Sequence, residues 1–397
     1  MQQEADRCVK CGLCLPHCPT YALDREESES PRGRIALLQA IASGQVQPDE
    51  AITHAIDDCL SCRACERVCP ADVRYGQLFD AGQAMLAEHA PPRARLARRK
   101  AWLLHHPTLR RGVFRALFLL QRLGMVAIAR SLLAGTRLGV ALRRLPTLPW
   151  ARRPRRGAPP PQGQVGLFTG CLGEGPDQHA VRGAQQLLSA AGWRWHAPRS
   201  QDCCGALEQH GGAGGTAHQA IQRNANAFAE HTHIVSLASG CTAWLQDADH
   251  SASSDDRPPP FNGRLTSLWA LLHDAPQALR LVARDERVAV WLPCTQRNVL
   301  RDERTMLAVL RQVPGARVDV LPVMDGCCGA AGLHFLEQAE RADRLAAPIV
   351  RALQENPVDR LLCANVGCRL HLISALREAG LPLPVEHPAQ WLASTLH

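Results

Sequence analysis

Aromatic residues are scarce in this sequence. Phe, Trp and Tyr make up 4% of its 397 residues, while hydrophobic residues as a whole make up 46%. We therefore expect cores filled by Ala, Leu and Val rather than by stacked rings. A chain of this length can form two or three domains, each with its own core, and this composition favours helix-rich α/β packing.

Acidic residues are absent from one long segment, residues 91–157. The segment has 17 Arg and Lys residues, so that 28 of the chain's 45 basic residues lie elsewhere, against all 37 acidic residues. The net charge of +8 is therefore a property of this segment, and the remainder of the chain is acidic. The segment ends in RRPRRGAPPPQG, which is typical of a linker. Residues 91–162 are called the basic segment below.

Two further absences limit the chemistry of a site. The stretch from Met1 to Cys8 has no basic start followed by an apolar run, so no secretory leader is visible. Together with an odd number of cysteines, 17, this argues against a disulfide scaffold and favours a cytoplasmic protein whose cysteines bind metal or perform redox chemistry. The chain also lacks a dinucleotide fingerprint, since GGAGG at 211–215 has neither the GxGxxG register nor the Lys-Ser/Thr of a phosphate loop. We expect no flavin or NAD on this chain.

Arginines recur along the basic segment at helical spacing. Arg115, Arg122, Arg130 and Arg137 are 7, 8 and 7 residues apart, which places them on one face of a helix whose other faces are apolar. Within residues 112–142 the longest charge-free run, 123–129, is far shorter than the ~20 residues that cross a bilayer. Such a helix can lie on the anionic cytoplasmic face of a membrane, or pack its apolar face on the protein or a partner with Arg in solvent. We expect no nucleic-acid binding, because no known module or aromatic interleaving accompanies the charge.

Two identical cysteine runs lie within the first seventy residues. Each reads CxxCxxCxxxCP, which is typical of bacterial ferredoxins with two 4Fe-4S clusters, in which the fourth cysteine of a run reaches the neighbouring cluster. By that rule one cluster is held by Cys8, Cys11, Cys14 and Cys69, and the other by Cys18, Cys59, Cys62 and Cys65. Structural zinc takes two pairs of Cys or His around one ion, so we do not favour it. Residues 19–58 are helical in pattern, which indicates a helical ferredoxin-type domain over 1–90.

The chain from residue 163 onward contains an internal repeat. VGLFTGC, QDCCGA and IVSLASGC are followed by VAVWLPC, DGCCGA and LLCANVGC at offsets of 123 to 127 residues. The matched cysteines are Cys171, Cys203, Cys204 and Cys241 in the first half and Cys294, Cys327, Cys328 and Cys368 in the second. Short apolar runs followed by helical stretches indicate βαβ units with mainly parallel sheets. We therefore predict an α+β multidomain protein with two α/β domains, the first CCG half (163–280) and the second CCG half (281–397).

Duplication of these cysteines favours cluster ligands over buried small hydrophobes. Cys363 has no counterpart in the repeat, and we expect it to be an ordinary core residue.

At these motifs the sequence resembles the iron-sulfur subunit of glycolate oxidase, a bacterial complex that converts glycolate to glyoxylate. The resemblance is carried by CPTY at 18, PRGRI at 31, CLSCRACERVCPADVRY at 59, CCGA at 203, ASGC at 238, PCTQ at 293, CCGAAG at 327 and ANVGC at 364. It implies an electron-transfer subunit that receives electrons from a flavin-containing subunit oxidising a 2-hydroxy acid, and delivers them to a quinone or other acceptor. It also implies that substrate chemistry occurs on the partner chain.

The resemblance leaves alternatives open. The wider CCG pattern ends each element in CxxC, but Ala238 and Asn365 stand at the first of those cysteines, so each half holds a simpler cluster or none. One alternative is the iron-sulfur subunit of a related glycerol-3-phosphate or lactate dehydrogenase complex. Another is a heterodisulfide reductase-like enzyme that performs thiol-disulfide chemistry at its CCG cysteines.

Overall fold

The computed structural model describes residues 1–133, 135–145, 147–158, 164–254, 260–323 and 326–397. The end of the predicted linker, residues 159–162, lies outside these ranges, and Arg137 of the predicted arginine face is described in its backbone only. The described residues form many helices and two parallel sheets, which confirms the predicted α+β multidomain class.

The ferredoxin-type domain is built from short helices around one apolar core. They are α1 (Gln2–Ala5), α2 (Pro19–Asp24), α3 (Pro31–Ala42), α4 (Glu50–Asp57), α5 (Ala64–Arg67) and α6 (Tyr75–His89). Helix α3 begins where Ser30 Oγ accepts a hydrogen bond from the Gly33 amide, with Pro31 at its first position. Helices α3 and α6 approach closely because Gly82 has no side chain; a Cβ there would lie 2.7 Å from the side chain of Leu38.

The described part of the basic segment is also helical, and several of its arginines turn inward. Its helices are α7 (Pro92–Ala101), α8 (Pro107–Arg122), α9 (Met125–Leu132) and α10 (Arg137–Arg144). Arg110 and Arg111 bind Glu174 of the first CCG half at 3.0 and 3.1 Å, and Arg144 binds Asp343 of the second CCG half at 2.5 Å. The segment is therefore clamped to both CCG halves by its own charges.

Apolar side chains of the same helices face outward. Leu123 is 70% exposed, Ile128 60% and Leu132 79%, whereas Arg130 donates hydrogen bonds to the Leu142 and Leu145 carbonyls at 2.8 Å. The alternative in which the apolar face packs on the protein is wrong for these residues. No single helix among the described residues is long and apolar enough to cross a bilayer, although α8 and α9 reach that length and composition as a pair bent by 81°.

Each CCG half contains a parallel sheet. The first half contributes β1 (Val165–Phe168), β2 (Trp195–His196) and β3 (His233–Ser236), in the order β2-β1-β3. The second half contributes β4 (Arg287–Trp291), β5 (Arg317–Val320), β6 (Arg360–Cys363) and β7 (Val385–Glu386), in the order β5-β4-β6-β7. Strand β4 therefore corresponds to β1, and β6 to β3. The predicted repeat of parallel α/β units is confirmed.

The two halves contain several helices, some of which pack around a shared apolar core. Those of the first half are α11 (Gln178–Ala190), α12 (Ala206–His210), α13 (Gly214–Ala227), α14 (Ser239–Ser254) and α15 (Leu268–His273); those of the second are α16 (Glu303–Leu310), α17 (His334–Glu337), α18 (Ala339–Glu355), α19 (Val366–Glu378) and α20 (Pro388–Ala393). Leu187 and Val235 of the first half belong to the same buried cluster as Val290, Leu310 and Trp391 of the second. The halves therefore form one folded body.

The repeated cysteines lie where the parallel strands end. Cys171 and Cys294 follow β1 and β4 by three residues, and this carboxyl edge is where parallel sheets bind ligands. The Gly of each CCG motif has a left-handed backbone, with φ of 87° at Gly205 and 78° at Gly329. At Gly329 a Cβ would also lie 2.5 Å from the Ala342 carbonyl oxygen. Glycine therefore allows the turn that presents the paired thiols.

Candidate functional site

Four cysteines of the ferredoxin-type domain converge on one cavity. Cys18, Cys59, Cys62 and Cys65 line it together with Arg34 and Tyr75. Burial raises the pKa of the Cys62 and Cys65 thiols well above its usual value, so in the absence of a metal these sulfurs stay protonated. These four cysteines are the set that the spacing rule predicts for one cluster.

The other predicted set lies nearer the surface. Cys8, Cys14 and Cys69 pack against the domain core, and Cys14 interacts electrostatically with Cys8. Burial raises the pKa of the Cys14 thiol to about 11. Cys11 is exposed, and its neighbours Val9 and Leu13 are 71% and 57% exposed. The assignment of the eight cysteines to two clusters stays a prediction.

The two runs share a backbone shape that the motif alone does not reveal. The residues on either side of the second cysteine have positive φ in both runs: Lys10 (56°) and Gly12 (83°) in the first, Ser61 (48°) and Arg63 (57°) in the second. Left-handed residues on both sides of one cysteine curl the chain tightly around it. The strain at Lys10, Ser61 and Arg63 is typical of a loop shaped for a ligand.

A buried arginine lines the cavity of Cys18, Cys59, Cys62 and Cys65. Arg34 is 1% exposed; its Nε donates to the Ala55 carbonyl at 2.7 Å and its Nη1 to Thr20 Oγ1 at 3.1 Å, while its Nη2 has no hydrogen-bond partner in the described part of the chain. A buried guanidinium nitrogen without an acceptor is costly, and a thiolate-bound iron-sulfur cluster would supply both acceptors and negative charge. The donor set and the unpaired Arg34 nitrogen therefore fit a 4Fe-4S cluster.

The predicted cysteines of the first CCG half form a chain of sulfur contacts. Cys171 contacts Cys203, Cys203 contacts Cys204, and the sulfurs of Cys204 and Cys241 are 3.1 Å apart. Hydrogen bonds from Cys171 and Cys204 lower the pKa of the Cys203 thiol well below its usual value. The structure thus brings all four predicted positions together.

The second CCG half forms the same chain with one more thiol. Cys294 contacts Cys327, Cys327 contacts Cys328, and the sulfurs of Cys328 and Cys368 are 2.7 Å apart. Hydrogen bonds from Cys327 and Cys368 lower the pKa of the Cys328 thiol to about 6. Cys363, which the sequence predicted to be a core residue, is fully buried in the core of the second half and also lies within hydrogen-bonding range of Cys368. The sequence did not indicate this contact, because the repeat has no cysteine at that position.

A histidine from the basic segment reaches the first CCG half. His105 Nδ1 lies 2.9 Å from Asp202, and its Nε2 contacts Glu208. The carboxylates of Asp202 and then Glu208 beside its two ring nitrogens raise the pKa of His105 to about 10, so the ring carries a proton beside Cys203 at neutral pH. Nothing in the sequence pointed to this residue, which lies about a hundred positions before its partners.

The ferredoxin-type domain contacts both CCG halves. Arg341 of the second half binds Asp58 at 2.7 Å and Glu29 at 3.0 Å, and burial followed by the nearby Cys294 thiol raises the pKa of Cys62. With the first half the domain forms ion pairs, such as that of Arg63 with Asp247 at 2.7 Å. Glu29, His54 and Asp58 lie close enough to hold a metal ion, but the Arg341 guanidinium already neutralises the carboxylates there.

Comparison with known proteins agrees with this division of the chain. The 4Fe-4S dicluster domain family matches residues 4–73, and the cysteine-rich domain family matches residues 165–246 and 288–373. These families support iron-sulfur clusters as cofactors of the chain.

Curated relatives align over most of the chain. The probable glycolate oxidase iron-sulfur subunit of Bacillus subtilis (strain 168) is 30% identical over 94% of this chain and 89% of its own length. The glycolate oxidase iron-sulfur subunit of Escherichia coli (strain K12) is 28% identical over 93% of this chain and 90% of its own length. Lactate utilization protein A of Geobacillus thermodenitrificans (strain NG80-2) is 25% identical over 58% of this chain and 98% of its own length.

The thiols converge in space, and the dicluster and cysteine-rich families match in this order along the chain. A relative also aligns almost from end to end. These three observations indicate the same family. This chain is an iron-sulfur oxidoreductase subunit and belongs to the family of glycolate oxidase iron-sulfur subunits.

Proposed function

We propose that this chain is the electron-transfer subunit of a flavin-dependent glycolate oxidase, which converts glycolate to glyoxylate on a partner chain. The observation that carries the proposal is the cavity of Cys18, Cys59, Cys62 and Cys65, in which one nitrogen of the buried Arg34 guanidinium has no hydrogen-bond partner among the described residues. A 4Fe-4S cluster exchanges one electron at a time. It can therefore accept the two electrons of a reduced flavin in two steps and pass them to a quinone or other acceptor.

Two separate sets of four cysteines would each bind one such cluster. The thiolates of Cys18, Cys59, Cys62 and Cys65 would bind one, shielded from water by Leu60 and Tyr75. Cys8, Cys11, Cys14 and Cys69 would bind the other, and the exposure of Cys11 supports a position for this cluster near the protein surface. The exposed Val9 and Leu13 beside Cys11 provide an apolar patch on which the flavin-containing partner can dock.

The proposal is tested with the variant Cys62→Ser in the complex co-purified with its flavoprotein. We expect acceptor reduction to be lost, while reduction of the partner's flavin by glycolate survives and serves as the internal control. Full acceptor turnover in this variant would refute the proposal.

The substrate itself is decided by the partner chain. The lactate utilization proteins match 58% of this chain, so a lactate-oxidising partner is the alternative, and glycerol 3-phosphate is a further candidate. A screen of glycolate, lactate and glycerol 3-phosphate with the co-purified complex separates them. Turnover of lactate alone would replace the glycolate assignment and leave the electron-transfer role intact.

We also propose that helices α8 to α10 rest on the anionic cytoplasmic face of a membrane. The exposed apolar side chains include Leu119, Leu123, Met125, Ile128 and Leu132, and residues 91–157 have no acidic side chain to repel anionic headgroups. An apolar patch within a purely basic segment is complementary to an anionic lipid surface. Such contact would place the chain beside a membrane quinone.

A further inference from the structure

We propose that the second CCG half binds its own iron-sulfur centre through five thiols, the fifth being Cys363, and that this centre lies beside the buried cluster of the ferredoxin-type domain. The proposal deepens the electron-transfer function proposed above and rests on it. The first CCG half, which has four thiols, does not form such a five-thiol centre.

The five sulfurs of the second half form one continuous chain of contacts. Cys294 leads through Cys327 and Cys328 to Cys368, and Cys363 adds the last contact. Cys327, Cys328, Cys363 and Cys368 are each at most 5% exposed. Soft thiolates packed this closely and away from water form a donor set that suits iron and sulfide.

The position of Cys363 accounts for a fifth thiol although residue 365 is not a cysteine. Cys363 ends strand β6, and the chain bends at Ala364 before helix α19 begins. The Cys363 thiol lies within hydrogen-bonding range of Cys368 on that helix. Asn365 has a structural role instead of a ligand role. Its Oδ1 accepts a hydrogen bond from the Gly367 amide at 2.9 Å and caps helix α19, which contains Cys368.

The first half has a different residue at the corresponding place. Ser236 ends strand β3 as Cys363 ends β6, at the same offset of 127 residues that separates Cys241 from Cys368. The buried Ser236 Oγ has no hydrogen-bond partner among the described residues. A hydroxyl is a harder and weaker ligand for iron than a thiolate, so the fifth position of the first half is not equivalent.

Close contacts join the second half to the ferredoxin-type cavity. Asn298 Nδ2 donates to the Cys62 carbonyl at 2.7 Å, which holds the second cysteine run against the residues that follow Cys294. Leu60 packs with Cys327 and Leu345 in one buried apolar cluster, and Cys62 lies against it. Two iron-sulfur centres held on the two sides of this contact would be near enough to interact magnetically.

The test uses the full chain purified without oxygen, as wild type and as Cys363→Ser, Cys363→Ala and the matched control Ser236→Ala. Two four-iron clusters account for about eight irons per chain. We expect wild type and Ser236→Ala to contain more than this, with matching acid-labile sulfide, and both Cys363 variants to lose the iron and sulfide of one centre relative to wild type. In the reduced proteins we expect the electron paramagnetic resonance of the ferredoxin-type clusters to persist in every variant, which reports that the chain has folded. Its magnetic broadening by a third centre should disappear with Cys363.

Three outcomes would overturn the inference. One is a wild-type chain with only about eight irons; a second is full iron and unchanged broadening in Cys363→Ser; a third is a loss confined to Cys363→Ala, which would indicate a packing role. None of them affects the electron-transfer proposal, which fails only if Cys62→Ser retains acceptor turnover.

Discussion

At the scale of single residues, Arg34 shows how one buried charge can tune a redox site. Its guanidinium is anchored by Ala55 and Thr20 and leaves one nitrogen unpaired beside four thiols. A fixed positive charge in a low-dielectric cavity favours the more negative, reduced form of any cluster held there.

We therefore predict that Arg34→Gln lowers the midpoint potential of one cluster by the order of 60 mV, since about 59 mV corresponds to a tenfold change in a one-electron equilibrium. A potentiometric titration followed by electron paramagnetic resonance measures this shift. Arg34→Lys should restore most of the potential. Arg32→Gln, on the same helix but paired with Glu27 and bonded to the Lys10 carbonyl of the other cysteine run, should leave the potential of the cluster at Cys18, Cys59, Cys62 and Cys65 unchanged. An unaltered potential in Arg34→Gln would contradict the role given to this charge.

The glycine of the second CCG motif gives a stability prediction at the same scale. Gly329→Ala has to place a Cβ 2.5 Å from the Ala342 carbonyl oxygen at a φ of 78°. Gly44→Ala is a matched control, because Gly44 has a φ of 72° and nothing within 4 Å of the added Cβ. We expect Gly44→Ala to cost about 1 kcal/mol of unfolding free energy from backbone strain alone, and Gly329→Ala clearly more. Equal losses in denaturant titrations would show that the close approach has no cost.

At the scale of elements, helices α8 to α10 combine inward arginines with outward leucines. The arginines gain carboxylate and carbonyl partners on the protein, which leaves apolar side chains on the outer surface. Sequence periodicity could not predict that the arginines face inward and the leucines outward. A helical repeat defines a face of the helix but does not show whether protein or solvent contacts that face.

We predict that the chain co-sediments with vesicles containing phosphatidylglycerol, and less with vesicles of phosphatidylcholine alone. Leu123→Glu and Ile128→Glu should each weaken binding severalfold, because a carboxylate replaces an inserted apolar side chain and repels the headgroups. Val282→Glu, at a position 43% exposed in the second CCG half, is the matched control and should bind as wild type does. Equal binding by all three variants would rule out this surface.

At the scale of the whole molecule, Arg341 is the main polar link between the ferredoxin-type domain and the second CCG half. It faces Glu29, Asp58 and Asp24, and its side chain is 14% exposed. Removing one partner of a buried ionic group leaves the others uncompensated.

We expect Arg341→Ala to lower the free energy of unfolding by about 3 to 5 kcal/mol. Arg344→Ala, which removes the half-exposed ion pair with Asp24, should cost less than about 1 kcal/mol. Urea denaturation of the two variants measures the difference. Similar losses would indicate that the interface is held by apolar packing alone.

The sequence predicted those features whose signals are local. The spacing of the cysteine runs indicated the dicluster domain, and apolar runs ending at Cys171 and Cys294 indicated the central strands of two parallel sheets. Contacts between segments distant in sequence could not be predicted, because they depend on tertiary packing that no motif encodes. Examples are the contacts of His105 with Asp202 and Glu208 and of Asn298 with Cys62. The contact of Cys363 could not be predicted from the repeat, because the matching residue of the first half is Ser236.

The crossing of α11 and α20 has a consequence for the order of assembly. Gly183 of α11 lies so close to Ala389 of α20 that a Cβ would approach the Ala389 carbonyl oxygen to 2.4 Å. The first CCG half therefore cannot complete its hydrophobic core until residues 388–393 have left the ribosome. Synthesis from the N-terminus exposes the two ferredoxin motifs long before that moment. Cofactor insertion into the first seventy residues can thus begin on a nascent chain whose later parts are still unfinished.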